Sequence, residues 1–211
     1  LSAGVLKVGS TSEVKFMALD FASEKLILRL EDLLLGPGNT RDAKQAAKIK
    51  VGQYPYIPLG IDNFIGQLRA VDALFKPSKR SDHAWGKGNK LPSFIDVGCG
   101  TGSKVFLAKE LLGYYDFECF GIEIDPAYTK VAKQLLTKYC IEGDALTHNY
   151  GPYDIVYFYC PLSNHDLQRD LERKIMREIR LGSFVLANMA QLPDKECKKL
   201  GCRRIYGNDI W

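Results

Sequence analysis

The chain is poor in the residues that usually announce a metal centre or a membrane span. It has three histidines, two tryptophans and three methionines in 211 residues. No stretch reaches the roughly 18 unbroken apolar residues of a membrane-spanning helix, so none is expected. The longest apolar patches, 26–35 and 153–162, are short or broken by charge. The six cysteines at 99, 119, 140, 160, 197 and 202 form no CxxC pair and have no histidine cluster beside them. That spacing excludes the usual zinc frameworks, and no metal is expected. Reduced thiols in a cytoplasmic protein, some serving as small core residues, account for them. Neither internal repeats nor low-complexity tracts occur. With 46% hydrophobic and 26% charged residues the composition is that of a folded globular protein, which excludes disorder along the whole chain.

What is present divides into two textures. Residues 1–90 carry 14 Lys and Arg against 9 Asp and Glu, and the remainder carries 15 against 16, so the net charge of +4 lies in the N-terminal part. This part reads as helical segments broken by Gly and Pro. Apolar residues recur at helical spacing over Val14–Leu35 and stop at Gly36-Pro37-Gly38, and a short Ala-rich segment follows over Thr40–Lys50. The prolines of Tyr54–Gly60 hold that stretch extended. Asp62–Phe75 is predicted as an amphipathic helix, with Phe64, Ile65, Leu68, Val71 and Leu74 on one face. The stretch 76–90 has five basic residues and one acid, with Trp85 among them. It has the composition of a solvated loop, and also of a surface for a polyanion such as RNA.

From residue 91 short apolar strands alternate with longer amphipathic helices. Strands are expected at Ser93–Val97, Glu118–Ile124, Tyr139–Glu142, Asp154–Tyr159 and Ser183–Asn188, with a further one at Arg203–Tyr206. Helices are expected at Lys104–Leu112, Pro126–Lys138 and Asp166–Arg180. This alternation implies an α/β fold, a doubly wound and mostly parallel sheet with helices on both faces, carrying an N-terminal helical extension. The organisation expected is 1–90 as a helical extension or lid and 91–211 as the ligand-binding domain.

The stretch that carries chemistry is Asp96-Val97-Gly98-Cys99-Gly100-Thr101-Gly102. A strand runs into a bend with three glycines and then a helix, at the place where ligands sit in open α/β sheets. The spacing is GxGxG, not the GxGxxG of dinucleotide sites, and an acid precedes the first glycine. A carboxylate there repels a pyrophosphate and suits a ligand that carries an ammonium. An ordinary strand-to-helix turn is the plainer alternative. Glu123 ends the next strand about twenty residues on, where an acid can accept both ribose hydroxyls of a nucleoside. Asp144 ends the third strand, placed to accept from an adenine amino group or simply to cap a turn. The fourth strand exits through Tyr159-Cys160-Pro161-Leu162 towards the same crevice.

Together these residues resemble the class I S-adenosylmethionine-dependent methyltransferases over about residues 91–211. Asp96–Gly102 is similar to that family's first motif, Glu123 to its ribose-binding acid, Asp144-Ala145 to its adenine-contacting pair, and Asp154–Pro161 to its fourth motif. The resemblance implies S-adenosylmethionine as cofactor and a Rossmann-like fold. It implies that Asp96, Gly98, Cys99, Gly100 and Gly102 surround the methionine portion, that Glu123 holds the ribose and that Ile124 belongs to the same cofactor site. Asp144 and Ala145 read the adenine. Tyr159 and Cys160 flank the sulfonium and are the candidate catalytic residues. The chain beyond Asn188 is short for the family's usual last pair of strands.

The fourth-strand exit also excludes chemistry. Tyr159-Cys160-Pro161-Leu162 lacks the Asp/Asn-Pro-Pro-aromatic order of enzymes that methylate base amino groups. It reverses the Pro-Cys order of cytosine-C5 enzymes. It offers no acids to hold a polyamine for aminopropyl transfer. The expected activity is therefore methyl transfer to an acceptor left open between protein side chain, RNA and small molecule. A non-catalytic module that uses the same pocket is the alternative.

Overall fold

In the computed structural model the described residues are 61–78, 92–112 and 117–203. The segments read from Val14–Leu35 and Thr40–Lys50, the extended Tyr54–Gly60 stretch, the Arg203–Tyr206 strand and most of the basic stretch 76–90 lie outside them. The first described element is helix α1 (Ile61–Ser78), which contains the expected Asp62–Phe75. Then follow β1 (Ser93–Val97), α2 (Ser103–Leu112), β2 (Glu118–Glu123), α3 (Pro126–Leu136) and β3 (Cys140–Glu142). The second half contains β4 (Ile155–Tyr159), α4 (His165–Glu178), β5 (Phe184–Asn188) and the short α5 (Asp194–Lys199).

The five strands form one parallel sheet in the order β3-β2-β1-β4-β5. The chain winds outward from β1 through β2 to β3, then returns to the other side of β1 for β4 and β5. That reversal puts the switch point between β1 and β4, where the crevice of a doubly wound sheet opens. All five residues of β1 are buried, as a central strand covered on both faces requires.

Strand alternation assigns the side chains to two cores. On one face Phe94, Tyr157 and Leu186 pack with Val105 and Ala108 of α2, Ala132 and Leu136 of α3, and Phe64, Ile65, Leu68 and Val71 of α1. On the other face Ile95, Val97, Val156, Phe158 and Val185 pack with Leu171, Ile175 and Met176 of α4 and Cys197 of α5. Helix α1 is thus seated on the sheet. Phe64 meets Tyr157 edge-on at 4.8 Å between ring centroids and Phe94 at 6.3 Å. Its buried Gln67 exchanges two hydrogen bonds with Asn188 at the end of β5, 3.0 and 3.1 Å long. The apolar stripe expected over Asp62–Phe75 belongs to the core of the sheet domain.

The N-terminal edge of the sheet is braced by Asp154. Its carboxylate accepts from the Ser93 amide at 2.8 Å and from Arg180 at 2.5 Å, tying the starts of β1 and β4 to the connection that precedes β5. Helix α3 starts as expected, with Asp125 accepting from the Ala127 amide at 2.8 Å and Pro126 in its first turn. It ends at Leu136 because Thr137 takes a left-handed φ of 53°, and a 3-10 turn over Thr137–Tyr139 leads into β3. Among the described residues no helix is long and apolar enough to cross a membrane, and all six cysteines are free.

Two glycines provide opposite tests of this packing. A Cβ on Gly121, in β2, would come within 2.6 Å of the Cys99 sulfur and 3.0 Å of Val105, whereas one on Gly66, in α1, would meet nothing within 4 Å. Gly121→Ala is therefore expected to cost about 1–3 kcal/mol by overpacking. Gly66→Ala is expected to add about 0.5–1 kcal/mol through helix propensity. Urea unfolding of the two variants checks both signs.

Candidate functional site

The bend after β1 is built from backbone that only glycine adopts cheaply. Gly98, Gly100 and Gly102 all lie in the left-handed region, at φ of 76°, 56° and 80°. Gly98 and Cys99 both donate their amides to the Ile122 carbonyl of β2, at 2.9 and 3.0 Å. Gly102 donates back to the Cys99 carbonyl at 2.9 Å and opens α2. Close approach fixes two of these positions as well. A Cβ on Gly98 would stand 2.8 Å from Pro161 Cβ, and one on Gly102 would stand 2.7 Å from Leu136. The first contact joins the bend to the exit of β4 across the switch point.

Glu123 closes the bend from the neighbouring strand. It is the last residue of β2 and only 9% exposed. One carboxylate oxygen accepts from the Gly100 amide at 2.9 Å, and the other accepts from the Ile124 and Asp125 amides at 2.9 and 2.8 Å. A single side chain therefore holds the middle of the bend and the exit of β2 in one geometry. Ile124 beside it is 48% exposed, an apolar side chain left facing solvent at the strand exit.

Asp96 lies under the bend. Its side chain is on the same face of β1 as Phe94, and it is buried. Desolvation raises its pKa to about 7. The nearby Glu123 charge adds to the rise, and the Lys104 ammonium opposes it. A buried acid poised to ionise near neutrality, beside another carboxylate, favours a cation placed next to it.

Asp144, two residues past β3, caps its own turn. Its Oδ1 accepts from the Leu146 amide at 2.8 Å, and its carbonyl accepts from the Thr147 and His148 amides. Its half-buried neighbour Ala145 is fixed by Tyr150, whose hydroxyl donates to the Ala145 carbonyl at 2.7 Å. Cys99 fills the space above Gly121. A hydrogen bond with the adjacent Cys140 thiol, and then burial, hold its pKa well above the usual thiol value. Such a thiol is a packing group and not a nucleophile at neutral pH.

At the opposite lip of the crevice, Tyr159 ends β4 half-buried. Cys160 follows in a left-handed conformation, φ 37°, with its thiol pushed up to about 11 by burial and by the Glu172 charge. Asn188 ends β5 in the same way, and Met189 follows it with a positive φ of 55° and 57% exposure. The crevice thus gathers Asp96, Glu123 and the three glycines directly, with Asp144-Ala145 at the end of β3 and Tyr159-Cys160 at the end of β4. Sequence reasoning missed Gln67, Asn188, Gln168 and Glu172, all buried polar residues near this edge. The signal available, for Gln67 alone, was a polar side chain set in the apolar stripe of an amphipathic helix.

No family model matches the chain. Among solved structures it is similar to a sugar N-methyltransferase, KedS8, from Streptoalloteichus, at 19% identity over 59% of this chain and 47% of that one, with a TM-score of 0.42. It is similar to DesVI from Streptomyces venezuelae at 15% identity over 70% of this chain and 57% of that one, TM-score 0.43. It is also similar to an RNA methyltransferase from Salinibacter ruber in complex with S-adenosyl-L-homocysteine, at 18% identity over 56% and 73%, TM-score 0.39. The chain spans about half the length of the first two. The fold is read from the sheet order itself: an α/β, Rossmann-like, doubly wound parallel sheet.

The raised pKa of Asp96 has a measurable consequence for stability. The folded form holds this proton up to about pH 7, whereas the unfolded chain loses it near 3.8. Stability is therefore lost as pH rises from about 4 to about 7 and is level above that. Asp96→Asn removes the buried charge and is expected to stabilise the fold at pH 8 by a few kcal/mol, on the order of the linkage for such a shift. The gain should fade towards pH 4, which thermal unfolding at a series of pH values reads directly.

Proposed function

We propose that this chain binds S-adenosylmethionine at the C-terminal edge of its sheet and transfers the methyl group to an acceptor admitted over the exits of β4 and β5. The observation that carries the reading is a glycine bend closed by acids from two adjacent strands. Asp96 lies buried beneath three left-handed glycines, Glu123 is locked beside them by backbone amides, and Asp144-Ala145 follows just past the next strand. The donor set suits this ligand and not a dinucleotide. Two carboxylates close to the bend disfavour a pyrophosphate and favour an adenosyl group that brings an ammonium and a sulfonium.

In this reading Asp96 receives the ammonium of the methionine portion, directly or through water, and is ionised when it does so. The glycines let the backbone of the bend lie against that portion with no Cβ between. Glu123, already oriented by the Gly100, Ile124 and Asp125 amides, accepts from the ribose hydroxyls. Ile124 offers its exposed side chain to one face of the adenine, and Asp144 with the Ala145 amide meets the ring edge. When bound, the cofactor supplies an activated methyl carbon for in-line displacement. Tyr159, Cys160 and Pro161 line the side from which the acceptor arrives, and they orient it. Cys160 stays a neutral thiol at physiological pH, so it shapes the mouth and does not form a covalent intermediate. A general base is not required where the acceptor is itself nucleophilic, and positioning then provides most of the rate. Protein side chains, RNA and small molecules all remain within this acceptor chemistry.

Calorimetric titration with S-adenosylhomocysteine tests the reading. Binding is expected in wild type, and Glu123→Ala is expected to weaken it at least about tenfold, the value of a pair of charge-assisted hydrogen bonds. Unchanged affinity would overturn the ribose assignment. Because Asp96 must be ionised in the complex, affinity should fall by about tenfold per pH unit below the midpoint near 7 and level off above it. Binding without turnover of methyl-labelled cofactor would leave a non-catalytic module on the same fold.

A further inference from the structure

Helix α4 carries two polar side chains that are completely buried, Gln168 and Glu172, one helical turn apart. Gln168 accepts from the Leu162 amide at 3.1 Å, and its Nε2 donates to Glu172 Oε1 at 2.9 Å. Glu172 in turn accepts from the Gln191 amide, at 2.9 and 3.0 Å to its two oxygens, and from the Leu192 amide at 2.7 Å. Leu162 belongs to the loop leaving β4, and Gln191 and Leu192 to the loop leaving β5. One side-chain pair in one helix therefore collects backbone amides from both loops that form the acceptor side of the crevice.

Both loops start under strain. Cys160 and Met189, each the first residue after its strand, are non-glycine residues at φ of 37° and 55°. Such conformations cost on the order of 1–3 kcal/mol each and persist only where the surroundings hold them. Here the hold is the amide two residues further on in each loop: Leu162 on Gln168, and Gln191 on Glu172. The β5 loop is tied again by His165 to Gln191 Oε1 at 3.0 Å and by Gln191 Nε2 to the Met189 carbonyl at 3.1 Å. Anchoring α4 alone would be met more cheaply by apolar residues at 168 and 172, because burying a carboxylate carries a desolvation cost that good packing avoids.

We propose that Gln168 and Glu172 are a positioning pair that sets the separation and angle of the β4 and β5 exits, and so orients the methyl acceptor against the cofactor. The inference rests on the methyl-transfer reading and adds to it two residues outside the cofactor site. Its logic is one of donors and acceptors. Glu172→Gln turns an amide NH2 towards backbone N–H donors, and Gln168→Glu sets two carboxylates together. The double variant Gln168→Glu with Glu172→Gln restores one carboxylate and one amide in reversed order. A carboxylate at 168 still accepts from Leu162, and an amide at 172 donates to it while accepting from Leu192.

Three measurements on the full chain decide the matter: S-adenosylhomocysteine affinity, hydrogen exchange at the Leu162, Gln191 and Leu192 amides, and transfer of labelled methyl from S-adenosylmethionine into the protein, RNA and small-molecule fractions of a cell extract. Each single variant is expected to keep S-adenosylhomocysteine affinity within about twofold and to speed exchange at the three amides. Transfer should fall by about tenfold to a hundredfold, as ångström-scale misplacement of a reactant does. The reversed pair should recover most of that transfer. Faster exchange with unchanged transfer would overturn the proposal, as would affinity and transfer falling together with no recovery in the double variant. Binding of S-adenosylhomocysteine by a wild type that labels no fraction would defeat the methyl-transfer reading and this one together. Labelling by wild type that both single variants match would defeat only this one.

Discussion

The Glu123 carboxylate, with its three backbone amides, is the interaction on which the crevice depends. It joins Gly100, in the middle of the bend, to Ile124 and Asp125, at the start of the next connection. These groups belong to adjacent strands whose exits would otherwise be independent loops. Glutamine could not replace it. A carboxylate is acceptor-only and can take several N–H donors, whereas an amide would turn two of its own donors into the same space. The charge-assisted bonds offset the desolvation of a nearly buried acid. They also leave a negative group preset at the strand end, which in the proposed reading gives the ribose diol an acceptor already ordered. Asp96 beneath depends on the same arrangement, because the Glu123 charge contributes to the pKa that places Asp96 near neutrality.

The bend was legible in the sequence because each of its parts demands a particular residue type at a particular spacing. Left-handed backbone at three alternate positions selects Gly98, Gly100 and Gly102, and the period of strand and helix carries Glu123 and Asp144 to successive strand ends. Boundaries were readable to within a residue or two, as at α2, α4 and β5. What was not legible was which surface a helix covers. The amphipathic stripe of α1 shows that Phe64, Ile65, Leu68 and Val71 are buried somewhere, and it is equally consistent with a lid and with a core helix. Gln67 within that stripe was the available clue, because a polar side chain there needs a fixed partner, which Asn188 supplies. Gln168 and Glu172 were hidden for the opposite reason. In a helix as charged as α4, two further polar residues look like solvent-facing ones until their burial is seen. Helix α5 is six residues long with only Cys197 in the core, too short for any periodicity to register.

Asp154 shows how one residue type is used at the two edges of the sheet. At the N-terminal edge its buried carboxylate has the Arg180 guanidinium and the Ser93 amide as partners, and it fastens strand starts. At the C-terminal edge Asp96 has only the opposing influence of Lys104, which desolvation outweighs. An acid neutralised by its own protein is part of the scaffold. An acid left near its ionisation point is receptive to an incoming cation. The same contrast separates Asp154, at the start of a strand, from Asp96 near the end of one, although both lie beside apolar runs of similar appearance.

The C-terminal edge is consequently two half-sites with different fastenings. On the β1–β3 side, glycine backbone and Glu123 form a bend whose geometry follows from residue type alone. On the β4–β5 side, the exits have no glycine, and two strained residues are held by a helix that packs on the opposite face from α1–α3. The halves touch where Pro161 stands against Gly98, a contact so close that a Cβ on the glycine would collide with it. The glycine is needed there as much for the neighbouring strand as for a ligand. This division allows the two halves to change separately. Substitutions in the β4 and β5 exits or in the buried face of α4 can reshape what the crevice admits without touching the Glu123 clamp. A change at Gly98 or Pro161 disturbs both halves at once. In the proposed reading the first half is therefore constrained to one ligand geometry, and the second is free to define the acceptor.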